Sequence, residues 1–94
     1  MTKLGDDPQI AKLISLTQRT LRELASQKPD LQLSAVGWVM LDRAGEACVV
    51  TLLLAARMTL GPLSQEHADI FANEAGIARD WLASLGIENP YLPQ

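Results

Sequence analysis

The stretch SAVGWVMLDRAGEACVVTLLLAA, residues 34–56, decides the fold of this chain of 94 residues. Two apolar runs, rich in β-branched residues, flank the tetrapeptide DRAG at residues 42–45. Asp42 is able to hydrogen-bond the backbone two residues on, and Gly45 is able to adopt a positive φ, so this tetrapeptide is typical of a hairpin turn with a glycine bulge. The sequence therefore predicts an antiparallel hairpin with strands over residues 32–42 and 46–57.

Both faces of this predicted hairpin are apolar, because side chains alternate between the two faces of a strand. One face carries Val36, Trp38, Met40, Cys48, Val50, Leu52 and Leu54. The other face carries Leu33, Ala35, Gly37, Val39, Leu41, Ala47, Val49, Thr51, Leu53 and Ala55. If the loop were one residue longer the pairing would shift by one residue, and both faces would still be apolar.

A competing interpretation makes residues 46–60 a buried helix, because short apolar runs are ambiguous between strand and helix. The consecutive residues Val49, Val50 and Thr51 favour the strand, since β-branched side chains fit a pleated surface well.

Helices are expected on both sides of the hairpin. The first is predicted over residues 7–27, with Asp6 or Asp7 as N-cap and Pro8 at the first helical position. Its apolar stripe follows steps of three and four residues and consists of Ile10, Leu13, Ile14, Thr17, Leu21 and Leu24. The helix is expected to end near Gln27, because Pro29 disfavours helical geometry at Lys28, the residue before it.

The second helix is predicted over residues 64–85, with Ser64 as N-cap and Gly86 as a positive-φ cap that lets Ile87 make an apolar contact. Gly76 lies inside it, which we interpret as a close approach to a neighbouring backbone. An extended tail is predicted over residues 87–94, because its two prolines exclude a helix.

The predicted fold class is thus α+β, a single domain over residues 1–94 in the order α-β-β-α, with a central antiparallel hairpin flanked by two amphipathic helices. Two helices cover one face of the hairpin only, and an exposed apolar face of this size is unusual in a monomer. We therefore expect a homodimer or a larger protein partner on the second face. The predicted interface consists of Val36, Trp38, Met40, Val50 and Leu52.

Charge and cysteine content narrow the classes of partner. The formal net charge is −3 and the eight basic residues are scattered, which argues against nucleic-acid binding. The longest apolar run, residues 47–56, is too short to span a bilayer, and the N-terminus lacks the apolar segment of a signal peptide. Cys48 is the single cysteine, so no disulfide forms within the chain, and a cytoplasmic location is expected.

Few side chains have the spacing of a catalytic or metal-binding site. His67 has Ile70 and Phe71 at the helical positions where a second metal ligand would stand, so no metal site is predicted. Cys48 lies among apolar residues without a neighbour that would lower its pKa, so a buried structural role is expected. A polar site at Arg57, Glu66 and His67 is the remaining candidate, and no cofactor is predicted.

The segment GWVMLDRAGEACVV resembles the first two strands of sensor and scaffold domains of the roadblock or GAF type, which continue with further strands and a helix; no function follows from it. The sequence favours a non-enzymatic protein interaction module, such as an adaptor, small subunit, inhibitor or chaperone. The alternative is a small-molecule binder or enzyme whose pocket forms at the dimer interface, lined by the candidate polar site. An acidic module that covers a basic nucleic-acid-binding protein is a third hypothesis.

Overall fold

A computed structural model describes residues 7–87 of the chain and shows three α-helices. Of these residues 78% are helical and none lies in a strand. The predicted α+β class and the central hairpin are therefore wrong, and the described part of the chain is all-α. The tail predicted over residues 87–94 lies, beyond Ile87, outside the described residues.

The first helix, α1, spans Pro8–Ser26 and confirms the predicted start and end. The Asp7 side chain is the N-cap and accepts a 2.8 Å hydrogen bond from the backbone N–H of Gln9. Leu21 and Ala25 form its buried side, where Leu21 was expected. Leu13, predicted to share the buried stripe, is exposed, because the burial of α1 is concentrated in its C-terminal half.

The second helix, α2, spans Ala35–Met58 and replaces both predicted strands. Ser34 caps its N-terminus, since the Ser34 side chain accepts a 3.1 Å hydrogen bond from the N–H of Gly37. The DRAG tetrapeptide forms no turn and lies in the middle of this helix. Val49, Val50 and Thr51 are all buried, so their burial outweighs the modest preference of β-branched residues for strands.

The third helix, α3, spans Gln65–Ser84 and agrees with the predicted helix over residues 64–85. Ser64 is its N-cap and accepts a 3.2 Å hydrogen bond from the N–H of His67. At the other end Gly86 adopts φ +78°, the N–H of Ile87 donates to the carbonyl of Leu82 at 2.9 Å, and Ile87 is buried. This is the glycine cap with its apolar contact that the sequence predicts.

Helix α2 lies between the other two and packs on both of them, whereas no Cα of α1 comes within 8 Å of a Cα of α3. On the α1 side, Gln18 approaches Gly45, and Arg22, which is later in α1, approaches Trp38, which is earlier in α2. On the α3 side, Glu74 binds Arg43, and Leu85, which is later in α3, approaches Gly37, which is earlier in α2. Both outer helices are therefore antiparallel to α2 and parallel to each other.

The core lies where α2 contacts its neighbours. Its buried members are Leu21, Ala25, Leu41, Ala44, Ala47, Cys48, Ala78, Leu82 and Ile87. A helix that is apolar on several sides is typical of a buried central helix, and this explains why the hairpin interpretation found two apolar faces.

Two glycines show where the helices are close. A Cβ added to Gly45 would lie 3.0 Å from Cγ and 3.3 Å from Cα of Gln18, so α1 passes directly over this position. The close approach predicted at Gly76 is wrong, because no described atom beyond its own helix would lie within 4 Å of a Cβ placed there.

Candidate functional site

Two adjacent residues in the middle of α2 connect it to both outer helices. The Asp42 carboxylate accepts two hydrogen bonds from the Arg22 guanidinium of α1, at 2.8 and 2.7 Å. Arg43 donates a 2.6 Å hydrogen bond to Oε2 of Glu74 in α3. Successive residues of a helix point about 100° away from each other, which lets one dipeptide reach two flanking helices.

The Arg43–Glu74 pair is the more enclosed of the two connections. Glu74 is only 5% exposed, and its Oε2 also accepts a 3.3 Å hydrogen bond from Nδ2 of Asn73. Nη1 of Arg43 is buried without a hydrogen bond of good geometry, although Oε1 of Glu46 lies 3.3 Å away. The hydrogen bond to Glu74 raises the pKa of Arg43 and so favours the charged guanidinium.

The Arg22–Asp42 pair is more exposed and has an aromatic neighbour. The Arg22 guanidinium lies 5.2 Å from the centre of the Trp38 ring, within cation–π distance. The hydrogen bonds from Arg22 to Asp42 raise the pKa of Arg22. Trp38, half-buried against the core, therefore helps to join α1 to α2.

A row of exposed apolar side chains borders the enclosed ion pair. Val36 and Val39 are each 68% exposed, and Val36, Val39 and Arg43 share one side of α2 because they follow helical spacing. Glu74, Ile77 and Trp81 have the same spacing on α3. Since α2 and α3 are antiparallel and joined at Arg43 and Glu74, these two rows lie beside each other.

We call this region the valine surface. Its members are Val36, Val39, Arg43, Glu74, Ile77 and Trp81. Ile77 and Trp81 are half-buried and pack on the core, and the two valines protrude beside them. Tryptophan and arginine are enriched at the energetic centres of protein interfaces, so the composition suits protein contact.

The five residues of the predicted interface do not form one surface. Their two-residue spacing places neighbours on one side of a strand but turns them about 200° around a helix. Val36 is exposed and Leu52 is 41% exposed, whereas Val50 is only 4% exposed. Met40 and Trp38 are half-buried. Of the predicted set, Val36 alone lies on the valine surface.

The candidate polar site is spread over the loop between α2 and α3 and the start of α3. Arg57 borders a shallow cavity of about 140 Å³ with Leu60, Gly61 and Pro62, and neither Glu66 nor His67 lines it. Glu66 is exposed in the first turn of α3 and His67 is half-buried. Within residues 7–87 no carboxylate lies within 4.0 Å of the Arg57 guanidinium, so these three side chains do not form a joined cluster.

No group of three or more His, Cys, Asp and Glu side chains between Asp7 and Ile87 is placed to hold a metal ion. None of the three helices has the length and apolarity needed to cross a bilayer.

Sequence reasoning missed Val39, Ile77 and Trp81 as one surface with Val36. The signal was available only if residues 34–58 are taken as a helix, because Val36, Val39 and Arg43 then follow steps of three and four. In the hairpin interpretation Val36 and Val39 point to opposite faces.

Comparison with known protein families, characterised proteins and solved structures found no significant match. The resemblance of the segment GWVMLDRAGEACVV to strands of roadblock or GAF domains is not supported, because this segment is helical.

Proposed function

We propose that this chain is a non-enzymatic protein interaction module, an adaptor, small subunit, inhibitor or chaperone, that acts in the cytoplasm as a homodimer or with a larger partner. The observation that supports this most is the exposure of Val36 and Val39, at 68% each, beside Ile77 and Trp81.

Physical chemistry favours covering this surface. Burying an exposed valine side chain contributes roughly 1.5 kcal/mol or more, and adjacent apolar side chains act together when one partner covers them. Arg43 and Glu74 at one end of the valine surface are paired with each other and with the neighbouring polar groups of Glu46 and Asn73. An apolar centre with a polar border is the usual anatomy of a protein interface.

The rival proposal, a small-molecule site at Arg57, Glu66 and His67, has less support. Ligand pockets are typically about 300–1,000 Å³ and largely enclosed. The cavity at Arg57 is about 140 Å³ and shallow, and it does not collect the other residues of the candidate polar site. A macromolecular partner on the valine surface is therefore the better supported function.

We expect the double substitution Val36→Ser and Val39→Ser to weaken association about 30-fold or more, because two apolar contacts are lost while the exposed positions leave the core intact. The measurement is affinity capture from a host extract on the immobilised chain, quantified by mass spectrometry, together with sedimentation of the purified chain. Leu60→Ser is the matched control, since Leu60 is 86% exposed and lies outside the valine surface.

The proposal is supported if the double variant no longer binds a protein that the wild type and Leu60→Ser both bind, whether that protein is a second copy of the chain or a different chain. Equal retention of every bound protein by the wild type and a correctly folded double variant contradicts it.

A further inference from the structure

The two outer helices carry opposite charge. Helix α1 has three basic residues, Lys12, Arg19 and Arg22, and one acidic residue, Glu23, for a formal charge of +2. Helix α3 has four acidic residues, Glu66, Asp69, Glu74 and Asp80, and one basic residue, Arg79, for a formal charge of −3 with His67 neutral. Helix α2 has two residues of each sign and is neutral.

Much of this charge is available to a partner. Arg22 and Glu74 are already paired with α2. Lys12 and Arg19 are exposed on α1 and Glu66 and Asp69 are exposed on α3, whereas Asp80 is paired with Arg79 in the same helix. Because α1 and α3 flank α2 and have no Cα atoms within 8 Å of each other, positive and negative charge lie at separate sides of the molecule.

The helix directions also bring these charges to matching heights. Since α1 and α3 are parallel, both begin at the same end of the molecule. Lys12 lies in the second turn of α1, and Asp69 lies in the second turn of α3 with Glu66 one turn before it. A twofold rotation about an axis parallel to α2 does not change a residue's position along that axis. Lys12 of one protomer would therefore lie level with Glu66 and Asp69 of the other.

We propose that the partner on the valine surface is a second copy of this chain, related by a twofold axis parallel to α2, so that α1 of each protomer lies against α3 of the other. This inference rests on the proposed function and names its partner. The valines contact each other near the N-terminal end of α2, and the Lys12–Asp69 and Lys12–Glu66 pairs form twice near its C-terminal end, where α1 and α3 begin. Such a twofold contact is closed and gives a dimer rather than a filament.

Charge selects this axis over the other twofold arrangement of the same surfaces. A twofold axis across the helices would place α1 on α1 and α3 on α3, which brings like charges together. Like charges placed together destabilise an arrangement, whereas opposite charges placed together favour it and fix how the two partners align.

The test is a charge exchange on the full chain, followed by sedimentation equilibrium at low ionic strength. The first variant carries Lys12→Glu and Arg19→Glu, and the second carries Glu66→Lys and Asp69→Lys. Each variant alone would bring like charges together at both borders, so we expect its dimer to dissociate at about tenfold higher concentration or more than the wild type. An equimolar mixture restores opposite charges at both borders, so we expect a heterodimer about as stable as the wild-type dimer. Circular dichroism of each variant checks that the helices are retained.

Recovery of dimer in the mixture, and weaker wild-type dimerisation as salt is raised, supports the arrangement. A wild-type dimer that both folded variants form equally well overturns it. A wild-type chain that is still monomeric at a concentration of about 100 µM also overturns it. If that monomer still binds another protein through Val36 and Val39, the proposed function survives while the second copy is excluded as partner.

Discussion

Replacing Glu74 by alanine is expected to lower the free energy of unfolding by about 2–3 kcal/mol, because it leaves the Arg43 guanidinium without its 2.6 Å partner. Glu74 is 5% exposed, so its removal empties an enclosed position. The value lies below that for a fully buried pair, since the Arg43 side chain is 33% exposed and retains access to water. Urea unfolding monitored by circular dichroism gives the measurement.

Two variants separate the ion pair from general disruption. The double substitution Arg43→Met with Glu74→Leu removes both charges together and should recover most of the lost stability, because no charge is left without a partner. Asp42→Ala breaks the more exposed pair with Arg22 and should destabilise less than Glu74→Ala. A loss below about 0.5 kcal/mol for Glu74→Ala would show that the α2–α3 contact does not depend on this pair.

Replacing Gly45 by valine is expected to cost about 2–3 kcal/mol, because α1 leaves no room for a side chain there. The first added carbon alone would lie 3.0 Å from Cγ and 3.3 Å from Cα of Gln18. The Gln18 side chain is held in place, since its Nε2 donates a 2.9 Å hydrogen bond to the carbonyl of Asp42. The two helices would have to separate to accept the substitution.

Gly76→Val is the matched control for Gly45→Val. It makes the same chemical change inside a helix, at a position where no described atom beyond that helix would lie within 4 Å of the new Cβ. Valine has a higher helix propensity than glycine, so we expect this variant to unfold at the wild-type urea concentration or slightly above it. Equal destabilisation by the two substitutions would mean that helix contact is not what Gly45 provides.

The terminal helices could be predicted because their ends depend on local chemistry. Asp7 with Pro8, Ser64, and Gly86 with Ile87 each act within one turn of the backbone, and each lies where the sequence indicated. Burial depends on neighbours, which explains why Leu13 was assigned to the buried stripe and is exposed.

The central helix was missed because its local signals conflict with its surroundings. Val49, Val50 and Thr51 favour a strand, and DRAG suits a turn, when each is taken alone. In the folded chain Asp42 and Arg43 bind two different helices, and Gly45 accommodates a third contact with Gln18. The competing helix over residues 46–60 was correct in type for most of its length. It began too late, because α2 already starts at Ala35.

The candidate site inherited this error. Val36 is exposed, but the other residues of the predicted interface were chosen with a two-residue period, so buried Val50 was included and exposed Val39 was left out. Ile77 and Trp81 join that surface only through the packing of α3 on α2, and neither residue carries a local signal of it.

Everything proposed for the valine surface requires that residues 35–58 form one uninterrupted helix. The most direct test is the set of backbone ¹³Cα chemical shifts of the purified chain, measured by NMR from Ser34 to Thr59. We expect continuous helical shifts from Ala35 to Met58, including residues 42–45. Extended-strand shifts over residues 36–41 and 47–54, separated by a turn at residues 42–45, would contradict the helix and with it the surface that Val36 shares with Val39.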